Sequence, residues 1–420
     1  MVDVKRVINR RAFLSLLGGT AVSPAFARAQ SSSRGLALYA SVGADLVHYD
    51  VDVDAAALVR RGTVTLPANV QYAWPHASRR YLYVASSDTA VGADVTPGHT
   101  HHVTAFRLDA SGALARHGNP LALPTRPIHL TSDAPSEHLL VAFHNPSALR
   151  VYRINRDATL GEEIKQASID AGIYAHQVRV MPNNRVAILV TRGNDAAGGR
   201  PEDPGALKVF SYKRGLLTKE VSIAPNGGYG FGPRHLDFHP AQPWVYVSLE
   251  RQNALSLYRM EGDAMNPQAV FRKDTLAAPG NVRARQIAGT VHVHPNGRFV
   301  YGVNRASTAT EVEGKPVFAG GENTLVVFAI NQETGEPTAI QHIDTRAIHC
   351  RTFHIDPSGR LLVAAHIMSL FVGEGTTIRQ VPAGLSVFRI ADGTLAFVRK
   401  YDVEVGSNQL FWMGMVPLAV

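Results

Sequence analysis

One motif recurs seven times along this chain, and it limits the possible folds more than any other feature. Four copies read Ala175–Asn194 (AHQVRVMPNNRVAILVTRGN), Pro233–Asn253 (PRHLDFHPAQPWVYVSLERQN), Ile287–Ser307 (IAGTVHVHPNGRFVYGVNRAS) and His349–Ser369 (HCRTFHIDPSGRLLVAAHIMS). Each is a short alternating strand, a turn carrying proline, and a second strand rich in Val, Leu and Tyr. Asn69–Asp88 repeats the motif, and Pro127–Asn145 does so with a one-residue shift. The marker prolines fall at Pro75, Pro135, Pro182, Pro240, Pro295, Pro357 and, in a truncated copy, Pro417, spaced by 47 to 62 residues. Further strands of the same type lie between them, such as His102–Leu108, Leu207–Tyr212 and Thr324–Ile330. Four strands per unit in seven units predict an all-β, seven-bladed β-propeller with four-stranded blades.

The seventh copy is split. Leu410–Pro417 supplies one strand, and Leu36–Val51 reads as the outer strands of the same blade. Pairing the N- and C-terminal strands would close the ring and remove its open edges. A single domain over 30–420 follows.

The segment 1–29 reads as a removable signal. Asn9-Arg10-Arg11-Ala12-Phe13-Leu14 matches a twin-arginine core, an apolar run to Val22 follows, and Ala27-Arg28-Ala29 precedes Gln30 as a small-residue cleavage site. The run is too short to span a bilayer, so no membrane anchor is expected. The expected partner is the twin-arginine export machinery and the expected location the periplasm. Removing 1–29 deletes five basic residues and Asp3, lowering the formal charge from +8 to +4. A surplus of that size, without Lys/Arg runs, does not suit a nucleic-acid binder. With one cysteine, Cys350, no intramolecular disulfide can form.

Blade equivalence points to a site. Six positions before the marker prolines stand Asn69, His176, Arg234, Gly289, Arg351 and Phe411, with His129 near the equivalent place. His176, Arg234 and Arg351 should therefore meet at one mouth of the channel, with His235 and Trp412 one step on. Clustered arginines repel unless an anion or acid offsets them. Glu250, at the end of the second strand of its blade, is the candidate acid, and a small anionic molecule the candidate ligand. His292 and His294 alternate along one strand and face opposite sides, which argues against joint chelation. One of them should pack against a neighbouring blade. His99, His101 and His102 lack a completing ligand set, so neither a metal nor a cofactor is expected.

The segment from Gly232 to Pro240 (GPRHLDFHP), Val245 to Glu250 (VYVSLE), Val291 to Arg298 (VHVHPNGR) and Arg351 to Gly359 (RTFHIDPSG) resemble the propeller lactonase family. That family includes bacterial 6-phosphogluconolactonases and fungal 3-carboxy-cis,cis-muconate cyclases. The resemblance, over residues 36 to 416, implies that His176, Arg234 and Glu250 are catalytic and Arg351 substrate-binding. A further family arginine corresponds to Gln286, beside Arg285. It implies hydrolysis of a sugar or other anionic lactone, with Glu250 or His176 as general base and arginines stabilising the oxyanion. Run in reverse, the same groups would close a lactone, as a muconate-type cyclase does. A noncatalytic ligand-binding propeller is the alternative of another class. Export would separate the protein from cytoplasmic 6-phosphogluconolactone, which favours a different lactone.

Overall fold

A computed structural model describes residues 35–90, 97–374 and 377–419. The signal expected at 1–29 lies outside the described residues. Seven antiparallel sheets follow one another along the chain as blades, five of them four-stranded and two, blades 1 and 4, with a fifth short strand. Their innermost strands are Asn69–Pro75, Pro127–Ser132, Ala175–Val180, Pro233–Phe238, Ile287–Val293, Cys350–Ile355 and Met413–Pro417, in blades 1 to 7. Blade 7 is shared between the chain ends: Met413–Pro417 pairs antiparallel with Leu36–Val42, Leu36 opposite Pro417 and Ala40 opposite Met413. An additional small sheet is built from hairpins inserted in blades 5 and 6, joined by a parallel bridge between Val317 and Phe371.

The core is seven layers. Each blade is covered on both faces, so its second strand is buried at nearly every position and mostly apolar, yet still divides its side chains by period two. In blade 3, Val186, Ile188 and Val190 face blade 4, while Ala187 and Leu189 face blade 2. The seven apolar clusters correspond one to one with the seven gaps between adjacent blades.

A tyrosine strut crosses several of these gaps. Tyr246 Oη donates to Gly335 O at 2.8 Å, Tyr301 to Gly393 O at 2.7 Å and Tyr83 to Ala158 O at 3.1 Å. Each acceptor sits in the turn before the outer strand of the next blade. Gly335 has φ +79°, and a Cβ there would stand 2.9 Å from the Trp244 ring, so both backbone and space demand glycine. Burial holds these phenols protonated: Tyr246 is raised above its ordinary value. Removing one hydroxyl strands a buried carbonyl, which costs about 1–3 kcal/mol. Tyr246→Phe should therefore lower the urea midpoint while leaving the m-value unchanged.

Similar struts run from His239 Nε2 to Gly297 O (2.8 Å) and from His294 Nε2 to Gly359 O (2.9 Å). His294 thus packs against the neighbouring blade through its ring, as one of the His292/His294 pair was expected to do.

Candidate active site

The inner strands of blades 1 to 6 carry a bulge close to their starts. In blades 3, 4 and 6 the register slips between Ala175 and Gln177, Pro233 and His235, and Cys350 and Thr352. The residues left unpaired are His176, Arg234 and Arg351. A bulge re-aims a side chain that regular pleating would send into a blade face. The same slip falls at Gln71 in blade 1 and Ile128 in blade 2, and spans Gly289 and Thr290 in blade 5.

Blades 1 and 2 correct the counting from proline. The turn residue equivalent to His239 and His294 is His76, whose Nδ1 accepts Ser78 N (3.0 Å) as His239 accepts Ala241 N (3.1 Å). Ala77 therefore replaces the marker proline, and Gln71, not Asn69, takes the bulge. By the same rule Ile128, not His129, is the bulged residue of blade 2.

A second ring faces the first. The residue after the bulge's partner on the second strand is His144, Arg192, Glu250, Arg305 and Ile367 in blades 2 to 6. In blades 3 to 6 it stands ten positions after the marker proline, a regularity visible in the sequence. Sequence reasoning found Glu250 here but missed Arg192, Arg305 and His144.

These rings converge on Glu250, which is 3% exposed. Arg192 Nη1 donates to its Oε2 at 2.7 Å, Arg234 Nε lies 3.0 Å from its Oε1, and Arg305 Nη2 bonds the same Oε1. Burial alone would raise the Glu250 carboxyl. Arg192, Arg305 and Arg234 outweigh it and hold the group well below the usual carboxylate range. Arg305 Nη1 also reaches His349 Nε2 at 3.1 Å, and His349 Nδ1 meets Ser307 Oγ at 2.8 Å.

Two further arginines have other partners. Arg351 donates Nη1 to Phe411 O at 2.9 Å and lies 3.5 Å from the Phe411 ring centroid. Arg126 lies 5.8 Å from the same ring and donates Nε to Gln71 Oε1 at 2.8 Å. Burial and the guanidiniums of Arg234 and Arg305 disfavour the charge on Arg351. Five buried or half-buried arginines and one carboxylate leave the mouth strongly cationic.

Imidazoles fill the centre. His176 and His235 stand 5.2 Å apart, His144 and His176 6.4 Å, and His129 and His235 6.3 Å. His176 Nδ1 and both nitrogens of His129 have no hydrogen-bond partner among the described residues. Burial, then the adjacent guanidiniums, keeps His129, His176 and His235 neutral, well below the ordinary histidine range.

The structure brings His176, Arg234, His235, Glu250 and Arg351 together. It separates three other expected residues from them. Gln286 is consumed locally: its Nε2 donates to Glu322 O (3.0 Å) and Arg305 O (3.3 Å), and its Oε1 accepts Glu322 N at 2.6 Å. The adjacent Arg285 is exposed in a loop, whereas Arg305, from the second strand of the same blade, pairs with Glu250. Trp412 packs against Tyr72 at 5.9 Å and lines the channel beyond the mouth. Burial pushes the Cys350 thiol up to about 12, too high for a thiolate nucleophile. Asp195 and Glu202, in the loop between the second and third strands of blade 3, both pair with Arg251. Among the described residues, no three His, Cys, Asp or Glu side chains are grouped to hold a metal ion. No described helix is long and apolar enough to cross a membrane.

A family model described as "Lactonase, 7-bladed beta-propeller" matches residues 36–372. The 6-phosphogluconolactonase of Pectobacterium carotovorum is 27% identical over 303 residues, 72% of this chain and 79% of that protein. The Bacillus subtilis 6-phosphogluconolactonase is 28% identical over 63% of this chain and 70% of its own. In overall fold, a putative 6-phosphogluconolactonase from Bacteroides uniformis superimposes with a TM-score of 0.68 at 17% identity, covering 91% of this chain and 100% of its own. A periplasmic gluconolactonase from Pseudomonas aeruginosa gives 0.65 at 20% identity, over 90% and 99%.

Proposed function

The chain belongs to the seven-bladed β-propeller lactonase family, and from that premise we propose how this lactone hydrolase works at the arginine-lined mouth. The observation that carries the proposal is one buried carboxylate saturated by three guanidiniums, beside a neutral imidazole and two arginines with no carboxylate partner among the described residues. Glu250 is the counter-ion that holds Arg192, Arg234 and Arg305 in place. A carboxylate so stabilised is a poor proton acceptor, which leaves the base role to His176.

The substrate is an anionic sugar lactone or a related lactone carrying carboxylate or phosphate. Arg351 and Arg126 receive that group, since guanidinium forks match such oxyanions in bidentate fashion. Its charge also offsets the field that keeps His176 neutral, so binding makes the imidazole more basic. A water then adds to the lactone carbonyl carbon while His176 takes its proton. Arg234 and Arg305 stabilise the oxyanion of the tetrahedral intermediate. Collapse breaks the ring C–O bond, His176 returns the proton to the departing oxygen, and a hydroxy acid is released.

The twin-arginine motif at Arg10 and Arg11 supports export to the periplasm, so the lactone is one found outside the cytoplasm. The test is turnover of a panel containing gluconolactone, 6-phosphogluconolactone and muconolactones. His176→Asn should lower kcat by about 10²- to 10⁴-fold. Arg351→Gln should raise KM for charged lactones about tenfold or more while leaving neutral gluconolactone nearly unchanged. A folded protein that turns over no lactone would transfer the site to ligand binding alone.

A further inference from the structure

The channel continues past the arginine cluster. Beyond His235, toward the far ends of the inner strands, it opens into a cavity of about 390 Å³. Neither Glu250 nor the arginines around it line this space; Trp74, Arg179, Asp237, His292, Thr352 and His354 do.

Its charges are internally balanced. Arg179 lies over the Trp74 and Phe238 rings, at 5.2 and 5.3 Å, and pairs with Asp237 at 3.2 Å. Asp237 Oδ2 also accepts the Val293 amide at 2.9 Å and stands 3.5 Å from His292 Nδ1. Burial would raise this carboxyl, but Arg179 and His292 hold it down to about 2. Burial pushes His354, whose ring lies 5.4 Å from His292, down to about 3, so it carries no charge. Thr352 is 4% exposed, and its hydroxyl has no partner among the described residues.

These features narrow the ligand. An anion would meet a cation already neutralised by Asp237, and a cation would meet a carboxylate already committed to Arg179. An apolar molecule would desolvate the Arg179–Asp237 pair and the His292 imidazole without returning a hydrogen bond, at a cost of several kcal/mol. A neutral molecule with hydroxyls around a ring satisfies both wall types: its C–H faces lie on the indoles of Trp74 and Trp412, and its hydroxyls exchange hydrogen bonds with the His292 imidazole and the Arg179–Asp237 pair. We infer that this cavity is a second binding site, for an uncharged polyhydroxylated ring of about monosaccharide size, separate from the arginine-lined mouth.

Two of the three tryptophans, Trp74 and Trp412, line the cavity, while Trp244 is packed between blades 4 and 5. Intrinsic fluorescence therefore reads occupancy without reference to lactone turnover. The full protein is titrated with D-glucose, D-galactose and myo-inositol, and with inorganic phosphate as a charged control. At least one neutral polyol should give a saturable change that phosphate does not. His292→Phe and, separately, Arg179→Gln should weaken it about tenfold or more, while Glu250→Gln should leave it intact. Circular dichroism checks that each variant is folded. A folded protein with no saturable response to any polyol overturns the inference, as does a response lost in Glu250→Gln or shared by phosphate. Failure of every lactone assay would leave this result standing, because the two sites share only the His235 wall.

Discussion

Glu250→Gln is expected to abolish lactone turnover, lowering kcat/KM by about 10³-fold or more, and to destabilise the protein by about 3–5 kcal/mol. The isosteric amide keeps the volume and removes the charge. Arg192, Arg234 and Arg305 then face one another across a mouth that water barely enters; Arg234 is 1% exposed and Arg305 4%. Breaking a buried pair from one side costs more than the pair contributed, because the charge left behind has lost its compensation. The arginines would be expected to move apart, and with them the positions from which Arg234 and Arg305 meet the oxyanion. Arg192→Gln provides the contrast. Its side chain is 21% exposed, and the carboxylate keeps two guanidiniums, so stability and turnover should fall far less. Urea titrations and initial rates on both variants test the pair. Glu250→Gln retaining activity within tenfold of the parent would remove Glu250 as organiser of the site.

Acid should unfold the protein at an unusually mild pH. His129, His176 and His235 are buried at 0%, 8% and 3% exposure, and burial followed by the nearby guanidiniums lowers each folded pKa well below the ordinary value. The unfolded chain binds protons at these residues from about pH 6.5 downward, and the folded protein does not. Stability therefore rises with pH in this window and falls as the pH drops through it, by about 1.4 kcal/mol per histidine per unit. Three such histidines remove about 4 kcal/mol by about pH 5.5, a large share of the 5–15 kcal/mol available to most domains. Glu250 contributes in a separate window: its folded pKa is depressed, so its contribution persists above the unfolded value and is lost only as the pH falls below about 4.5. Denaturation at pH 7.5, 6.5 and 5.5 should show uptake of more than about three protons on unfolding, since burial lowers His144, His349, His354 and His366 as well. His129→Phe, which removes two unpartnered buried nitrogens, should reduce that slope by one proton. A stability that stays flat from pH 7.5 to 5.5 would show that these imidazoles are charged in the folded protein.

Much of the molecule was legible from residue order. The seven blades follow from a motif whose period-two strands need cover on both faces, and the split seventh copy called for pairing the two chain ends, which the strands Leu36–Val42 and Met413–Pro417 do. His176, Arg234 and Arg351 could be brought together because repeats make distant positions equivalent. The same arithmetic failed in blades 1 and 2, where Ala77 and Ala134, each following the turn residue His76 or Asp133, stand in place of the marker proline. Arg305 was within reach of the repeat, ten positions after Pro295, but only if the second strand was read as contributing its own ring.

What the linear order determined, then, was the repeating unit, the closure of the ring and the set of positions that share a mouth, because these depend on local periodicity and on counting. Which side chains enter that mouth was decided by tertiary structure. A bulge releases His176, Arg234 and Arg351 from the pleat, while three backbone partners bind Gln286 elsewhere and blade packing draws Trp412 into the channel wall. Charge states were decided there too, since a pKa depends on burial and on guanidiniums brought from other blades, and neither is a property of any short stretch of chain.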